Sequence, residues 1–221
     1  MANKKIQEEK KTAEEKIISS VSNFFQKNRL IVIIIVAAII VGIVAAVILV
    51  NASTKAKNNA QLQVAELESR YSDLLSETEP DWSTLATDLK ANVKGSSYPS
   101  VKSAYLLGLV YYQMADYAAA QSAFEQAYSL NKDVYLASEA LCNAAACAEA
   151  QGNVNRALEL YNQVFDDYPE SGCAPKALFN SARINLQLGN TDLAKLTFGQ
   201  VSSYYADSEY GKLALNISSV L

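Results

Sequence analysis

The groups that could do chemistry in this chain are few, and their spacing argues against catalysis. None of its 221 residues is histidine. That removes Ser-His-Asp and Cys-His nucleophilic machinery and every imidazole-ligated metal. The three cysteines are Cys142, Cys147 and Cys173, an odd count without the paired spacing of a disulfide framework. Cys142 and Cys147 stand five apart on one expected helix, about 140° apart around its axis. The expectation for them is small buried hydrophobes. Cys173 falls in an expected link, where a thiol could react, but Lys176 is its only basic neighbour. The acidic pairs Asp166-Asp167 and Glu77/Glu79 fall at helix ends and in loops, and read as solvated charge rather than as a catalytic acid and base. There is no phosphate loop, Gly-rich dinucleotide turn or nucleophile elbow. A net charge of -4 without a basic, aromatic-studded stripe excludes nucleic acid as an expected partner. No enzyme activity, cofactor or metal is expected, which leaves recognition of other polypeptides by surface side chains.

Two kinds of element must position such side chains. The first is Leu30 to Val50, 21 residues without a polar side chain. As a helix it is about 31 Å long, one bilayer core. Its apolar length exceeds that of a secretory signal, so an uncleaved signal anchor is expected, crossing the lipid bilayer once. Ala38, Gly42 and Ala46 form a small-xxx-small ridge on one face, through which two spans could pack as a homo-oligomer. Phe24 and Phe25 precede the span, where aromatics mark a membrane interface. Lys16, Lys27 and Arg29 flank it on one side against Lys55 and Lys57 on the other. This bias favours a cytoplasmic amino terminus and a carboxy-terminal portion outside the cytoplasm, in the periplasm of a Gram-negative cell. Residues 1–29 are then a charged cytoplasmic tail, whose alternating Lys and Glu support a surface helix.

The second element recurs. Ser103 to Ala127 reads as two amphipathic helices around a turn at Met114-Ala115-Asp116-Tyr117, where Asp116 is placed to cap the second. A shift of 37 residues carries Ala120 to Ala157 and Ala194, Phe124 to Tyr161 and Phe198, and Gly108 to Ala145 and Ala182. Gly152 and Gly189 fall at the turns inside the second and third copies, where a left-handed residue is needed. The Leu107-Gly108 pair, Tyr111, Ala120, Phe124 and Ala127 resemble a tetratricopeptide repeat. An all-α chain follows: one amino-terminal transmembrane helix, then a solenoid of stacked helical hairpins. Residues 51–99 are expected to form a linker helix and a degenerate first repeat. Leu62, Ala65, Leu67, Tyr71, Leu74 and Leu75 give the linker helix its apolar stripe, and Glu79-Pro80-Asp81 precedes a helix carrying Trp82, Leu85, Leu89 and Val93. Gly95 to Pro99 reads as a loop. Residues 100–221 are expected to hold three repeats, about 101–131, 138–168 and 175–205, and a capping helix over 208–221.

In such a stack the first helix of each pair lines the inner surface. Projection onto the repeat template places Tyr105, Leu109 and Tyr112 there from the first repeat, Asn143, Ala146 and Glu149 from the second, and Lys176, Phe179 and Arg183 from the third. Together they form an expected groove for an extended peptide. The competing expectation is that Tyr105 and Phe179 are packed between helices. Some repeats of this family hold a partner's terminal carboxylate in a five-residue clamp. Asn143 and Lys176 match two of its places, but Tyr105, Leu109 and Asn180 stand where Lys, Asn and Arg would be, which argues against that mode. The layout, with its Tyr168-Pro169-Glu170-Ser171 and Tyr205-Ala206-Asp207-Ser208 links, resembles the ancillary SecYEG translocon subunit family and the repeat domain of the cell-division coordinator CpoB. That resemblance implies an inner-membrane protein associated with the translocon or with periplasmic chaperones, holding newly exported proteins. The alternative is a scaffold subunit of a larger envelope complex.

Overall fold

The computed structural model describes the backbone of residues 2–221 and the side chains of residues 15–221. The expected Lys–Glu pairing between residues 4 and 14 lies outside the described side chains. Ten helices and no strand occur among the described residues. The chain divides into two units, Met1–Asn58 and Asn59–Leu221.

The first unit holds α1 (Ala2–Lys27) and the opening part of α2 (Arg29–Leu74). From Leu30 to Val50 every side chain is exposed except the half-buried Val32. Such a surface loses nothing in hydrocarbon, because a helix satisfies its own backbone polar groups there. Ala38, Gly42 and Ala46 lie exposed along one face of α2, and a Cβ built on Gly42 meets nothing within 4 Å. Phe24 and Phe25, just before this stretch, are also exposed.

In the second unit the last turns of α2 and α3 (Trp82–Asn92) form the degenerate first pair. Asp81 caps α3 by accepting from the Thr84 amide at 3.1 Å. Three hairpins follow: α4 (Tyr98–Gln113) with α5 (Tyr117–Leu130), α6 (Leu136–Ala150) with α7 (Val154–Asp167), and α8 (Ala174–Gln187) with α9 (Thr191–Tyr204). The capping helix, α10 (Glu209–Ser218), packs on α9 and α8. The expected loop at Gly95 to Pro99 is shorter in the structure, because Tyr98 and Pro99 already belong to α4. Proline is at home there, since the first helical amides have no partner to lose. The expected stripe of α2 also differs. Val64 and Leu67 are buried while Leu62 and Leu75 are exposed, so the buried face is turned toward α3 and α4.

The hairpins are built by repeated local rules. Asp116 accepts from the Ala119 amide at 3.0 Å to cap α5, and Asn153, 37 residues on, accepts from the Arg156 amide to cap α7. The residue before each cap is left-handed: Ala115 at φ 57°, Gly152 at φ 76° and Gly189 at φ 80°. Only the first of these carries a Cβ, which the left-handed region penalises by about 1 kcal/mol. Ala115→Gly is therefore expected to raise unfolding free energy by about 0.5–1 kcal/mol, read from the urea midpoint.

Packing follows the same period. Ala120, Ala157 and Ala194 are fully buried, and Phe124, Tyr161 and Phe198 fill the space beside them. A Cβ on Gly108 would fall 2.6 Å from the Phe124 ring, which is why the first repeat needs a glycine where the others take alanine. Successive links are tied by side chains that reach back to main chain. Tyr168 donates to the Lys132 carbonyl at 2.9 Å, and Tyr205 donates to the Pro169 carbonyl at 2.8 Å. Asn131 donates to the Ser96 carbonyl at the corresponding place one repeat earlier.

Candidate peptide-binding face

The first helices of successive hairpins are joined side by side by polar contacts, so their outward residues form one continuous face. Asn143 on α6 donates to the Tyr105 hydroxyl on α4 at 3.0 Å. One guanidinium nitrogen of Arg183 on α8 reaches both carboxylate oxygens of Glu149 on α6, at 2.6 and 2.7 Å. These four side chains are half-buried, so the pairings lose less to solvent screening than a fully exposed ion pair would. Arg183 also donates to Asn180 and Gln187. Lys102, at the α4 position that corresponds to Lys176 on α8, pairs with Glu68 at 2.6 Å.

The structure therefore divides the nine residues placed on this face. Tyr105 is half-buried with its ring edge-on to Phe124, centroids 5.5 Å apart. Burial, then the nearby Glu139, pushes its phenol up to about 12, so it stays a neutral hydrogen-bonding group at any physiological pH. Leu109 is half-buried, and Tyr112 is 45% exposed with its ring against Tyr117 at 5.4 Å. Ala146 and Lys176 are half-buried. Phe179 is only 8% exposed, wedged between Phe198 and Tyr210 at centroid distances of 5.3 and 5.4 Å. It packs in the core and offers no open face to a ligand, because the capping helix brings Tyr210 over it. Asn143, Glu149 and Arg183 are present on the face but are partnered with its other members.

What sequence reasoning missed is this mutual pairing. Its signal is present as residues 34 to 38 apart with complementary chemistry, Tyr105 with Asn143 and Glu149 with Arg183. What is left accessible at the amino-terminal end of the face is a strip of Leu109 and Tyr112, with Ala146 half-buried on the next helix. Such a strip can take apolar side chains of an extended segment, with polar groups at its edge to fix main chain.

Two models of the tetratricopeptide repeat match the chain, over residues 105–172 and 148–217. The hairpins are tetratricopeptide repeats. Among solved structures, a tetratricopeptide repeat protein from Parabacteroides merdae aligns with a TM-score of 0.55 at 21% identity, covering 71% of this chain and 59% of that one. The kinesin light chain-like repeats of Podospora anserina align at 0.53 and 15% identity, covering 71% and 82%. The Yersinia enterocolitica type III secretion translocator chaperone SycD aligns at 0.47 and 24% identity, over 57% and 90%. No curated protein matches the chain. The tetratricopeptide repeat is a protein-protein interaction module, and here it forms an α-solenoid whose degenerate first pair and capping helix close its two ends.

Proposed function

We propose that the chain is a membrane-anchored tetratricopeptide repeat module that holds extended segments of other polypeptides on the face of its first helices. The observation that carries the reading is the accessible strip at Leu109 and Tyr112. Tyr112 is a large aromatic left exposed where the matching places in the later hairpins hold the paired Glu149 and the half-buried Leu186. Aromatic and aliphatic anchors of this kind give contact area at low cost in side-chain freedom. The apolar stretch from Leu30 to Val50, exposed throughout except at the half-buried Val32, supports the anchor. The basic residues before it support a cytoplasmic amino terminus and a periplasmic repeat domain. In that compartment the segments held are newly exported proteins, and the role is that of a translocon-associated, chaperone-like factor.

A photoreactive phenylalanine analogue at Tyr112, irradiated in intact membranes, tests the reading. The expected capture is a spectrum of exported polypeptides, lost when Leu109 is changed to Ser in the same chain. A single stoichiometric protein that survives detergent extraction would overturn it in favour of the scaffold alternative. The exposed Leu193, Leu196, Tyr204, Leu213 and Leu215 on the last two helices favour that alternative. For topology, a single cysteine introduced at Asn59 in a cysteine-free chain is expected to react with a membrane-impermeant thiol reagent in cells whose inner membrane is intact. Labelling only after lysis would overturn the periplasmic placement.

A further inference from the structure

The third hairpin breaks the apolar pattern of the repeat at three buried places. Ser181, Asn185 and Thr197 are 2%, 3% and 6% exposed, where one period earlier the chain buries Ala144, Ala148 and Leu160. Polar groups in such places cost stability unless they are hydrogen-bonded. All three line one pocket of about 300 Å³ between α7, α8 and α9. Ser181 Oγ donates to Asn162 Oδ1 at 2.6 Å, Asn185 Nδ2 to the Ser181 carbonyl at 3.0 Å, and Thr197 Oγ1 to the Leu193 carbonyl at 2.8 Å. Each hydroxyl has then spent its one donor and keeps lone pairs that can accept. Phe165 is half-buried in the pocket wall. Asp166 is exposed beside it and forms no ion pair among the described residues. No basic residue lines the pocket.

The equivalent groove one repeat earlier, between α5 and α7, shows what fits such a place. There Arg156 reaches across to Glu125 at 3.0 Å, and Gln163 donates to the Tyr128 hydroxyl at 2.8 Å. A shift of 37 residues turns Arg156 into Leu193, Glu125 into Asn162, Gln163 into Gln200 and Tyr128 into Phe165. The groove that the chain bridges with its own guanidinium therefore has none between α7 and α9. A carboxylate is kept, one turn further along α7 at Asp166.

We propose that this pocket takes the side chain of an arginine in an extended segment of a partner polypeptide. A guanidinium brings five N–H donors and no acceptor, and its plane packs on aromatic rings. Asp166 supplies the opposite charge, Phe165 the aromatic wall, and the Ser181 and Thr197 oxygens accept. The amides of Asn162 and Gln200, at the same pocket, serve the main chain of the segment. A lysine ammonium, a strongly hydrated point charge, uses this arrangement less well. The pocket shares no residue with the strip at Leu109 and Tyr112, so its test stands apart from that reading.

The full chain in detergent micelles is titrated at fixed salt with the blocked peptide Gly-Ser-Arg-Ser-Gly, followed by NMR of the peptide. Counterparts carry citrulline or lysine in the central place. The arginine peptide is expected to bind, about tenfold more tightly than the uncharged citrulline peptide, and Asp166→Asn is expected to weaken it by about as much. Leu193→Arg is expected to abolish binding by seating an internal guanidinium, as Arg156 does one repeat earlier, without lowering the urea midpoint. No binding, equal binding of the three peptides, or binding unchanged in either variant would overturn the proposal. So would blocked arginine alone binding as tightly as the peptide, which would assign the pocket to a free guanidinium compound. The comparison of peptides on the wild-type chain stands even if a variant fails to fold.

Discussion

Phe124→Ala is expected to lower the unfolding free energy of the repeat domain by about 3–5 kcal/mol, the cost of removing a fully buried aromatic and leaving a cavity. For a domain of this size that is a fall of roughly 10 °C in Tm. Phe124 is 1% exposed, packs in the central cluster and supports the Tyr105 ring at 5.5 Å. The change should therefore also loosen Tyr105 on the face of the first helices. Gly108 supplies a sharper check, because its missing Cβ is the space the Phe124 ring occupies. In the wild-type chain Gly108→Ala is expected to destabilise by about 1–3 kcal/mol through overpacking. In the Phe124→Ala background the same change is expected to stabilise, by about 0.5–1 kcal/mol, because the clash is gone and the better helix former remains. Chemical denaturation of the four chains in a double-mutant cycle reads the coupling. Additive effects would show that the two residues are not in contact.

Gly211→Ala is expected to cost about 3 kcal/mol, at the upper end of overpacking effects. Gly211 sits in the first turn of α10, where its amide donates to the Ser208 hydroxyl at 2.9 Å and so forms the cap. A Cβ there would run into the Tyr205 carbonyl oxygen and lie 2.7 Å from the Tyr205 carbonyl carbon. These are backbone atoms, which cannot swing aside as a ring can, so α10 must lift from its seat. Lifting it uncovers Ala214, Phe198 and the Tyr210 side of Phe179. The expected signature is a lower urea midpoint together with loss of hydrogen-exchange protection in α9 and α10 before the other helices. Unchanged protection there would refute the close approach.

The solenoid was legible in the sequence because its determinants are local and repeated. Small residues at 120, 157 and 194, turn glycines at 152 and 189, and the polar cap at 116 each act within one hairpin, and the structure places all of them as their chemistry requires. Ala115 hid one such position, since alanine gives no sign of a left-handed turn. It is forced there by the packing of α4 against α5. The face of the first helices was legible as a set of positions but not as a set of available groups. Phe179 is withdrawn by a helix some thirty residues further on, and no feature of its own repeat announces Tyr210. Asn143, Glu149 and Arg183 are engaged by partners in neighbouring repeats, a pairing that depends on the register between hairpins. Cys142 and Cys147 were legible as buried residues, whereas Cys173, expected in a link, is buried as well.

The hydroxyls of Tyr168 and Tyr205 seize carbonyls of the preceding link, at Lys132 and Pro169, and every residue type offers a carbonyl. The latch therefore makes no demand on the identity of the residue it grips, and only its own aromatic must be kept. An array fastened in this way can gain or lose whole modules by gene duplication or deletion without a matching change in the neighbour, so its reach is free to evolve separately from what it holds.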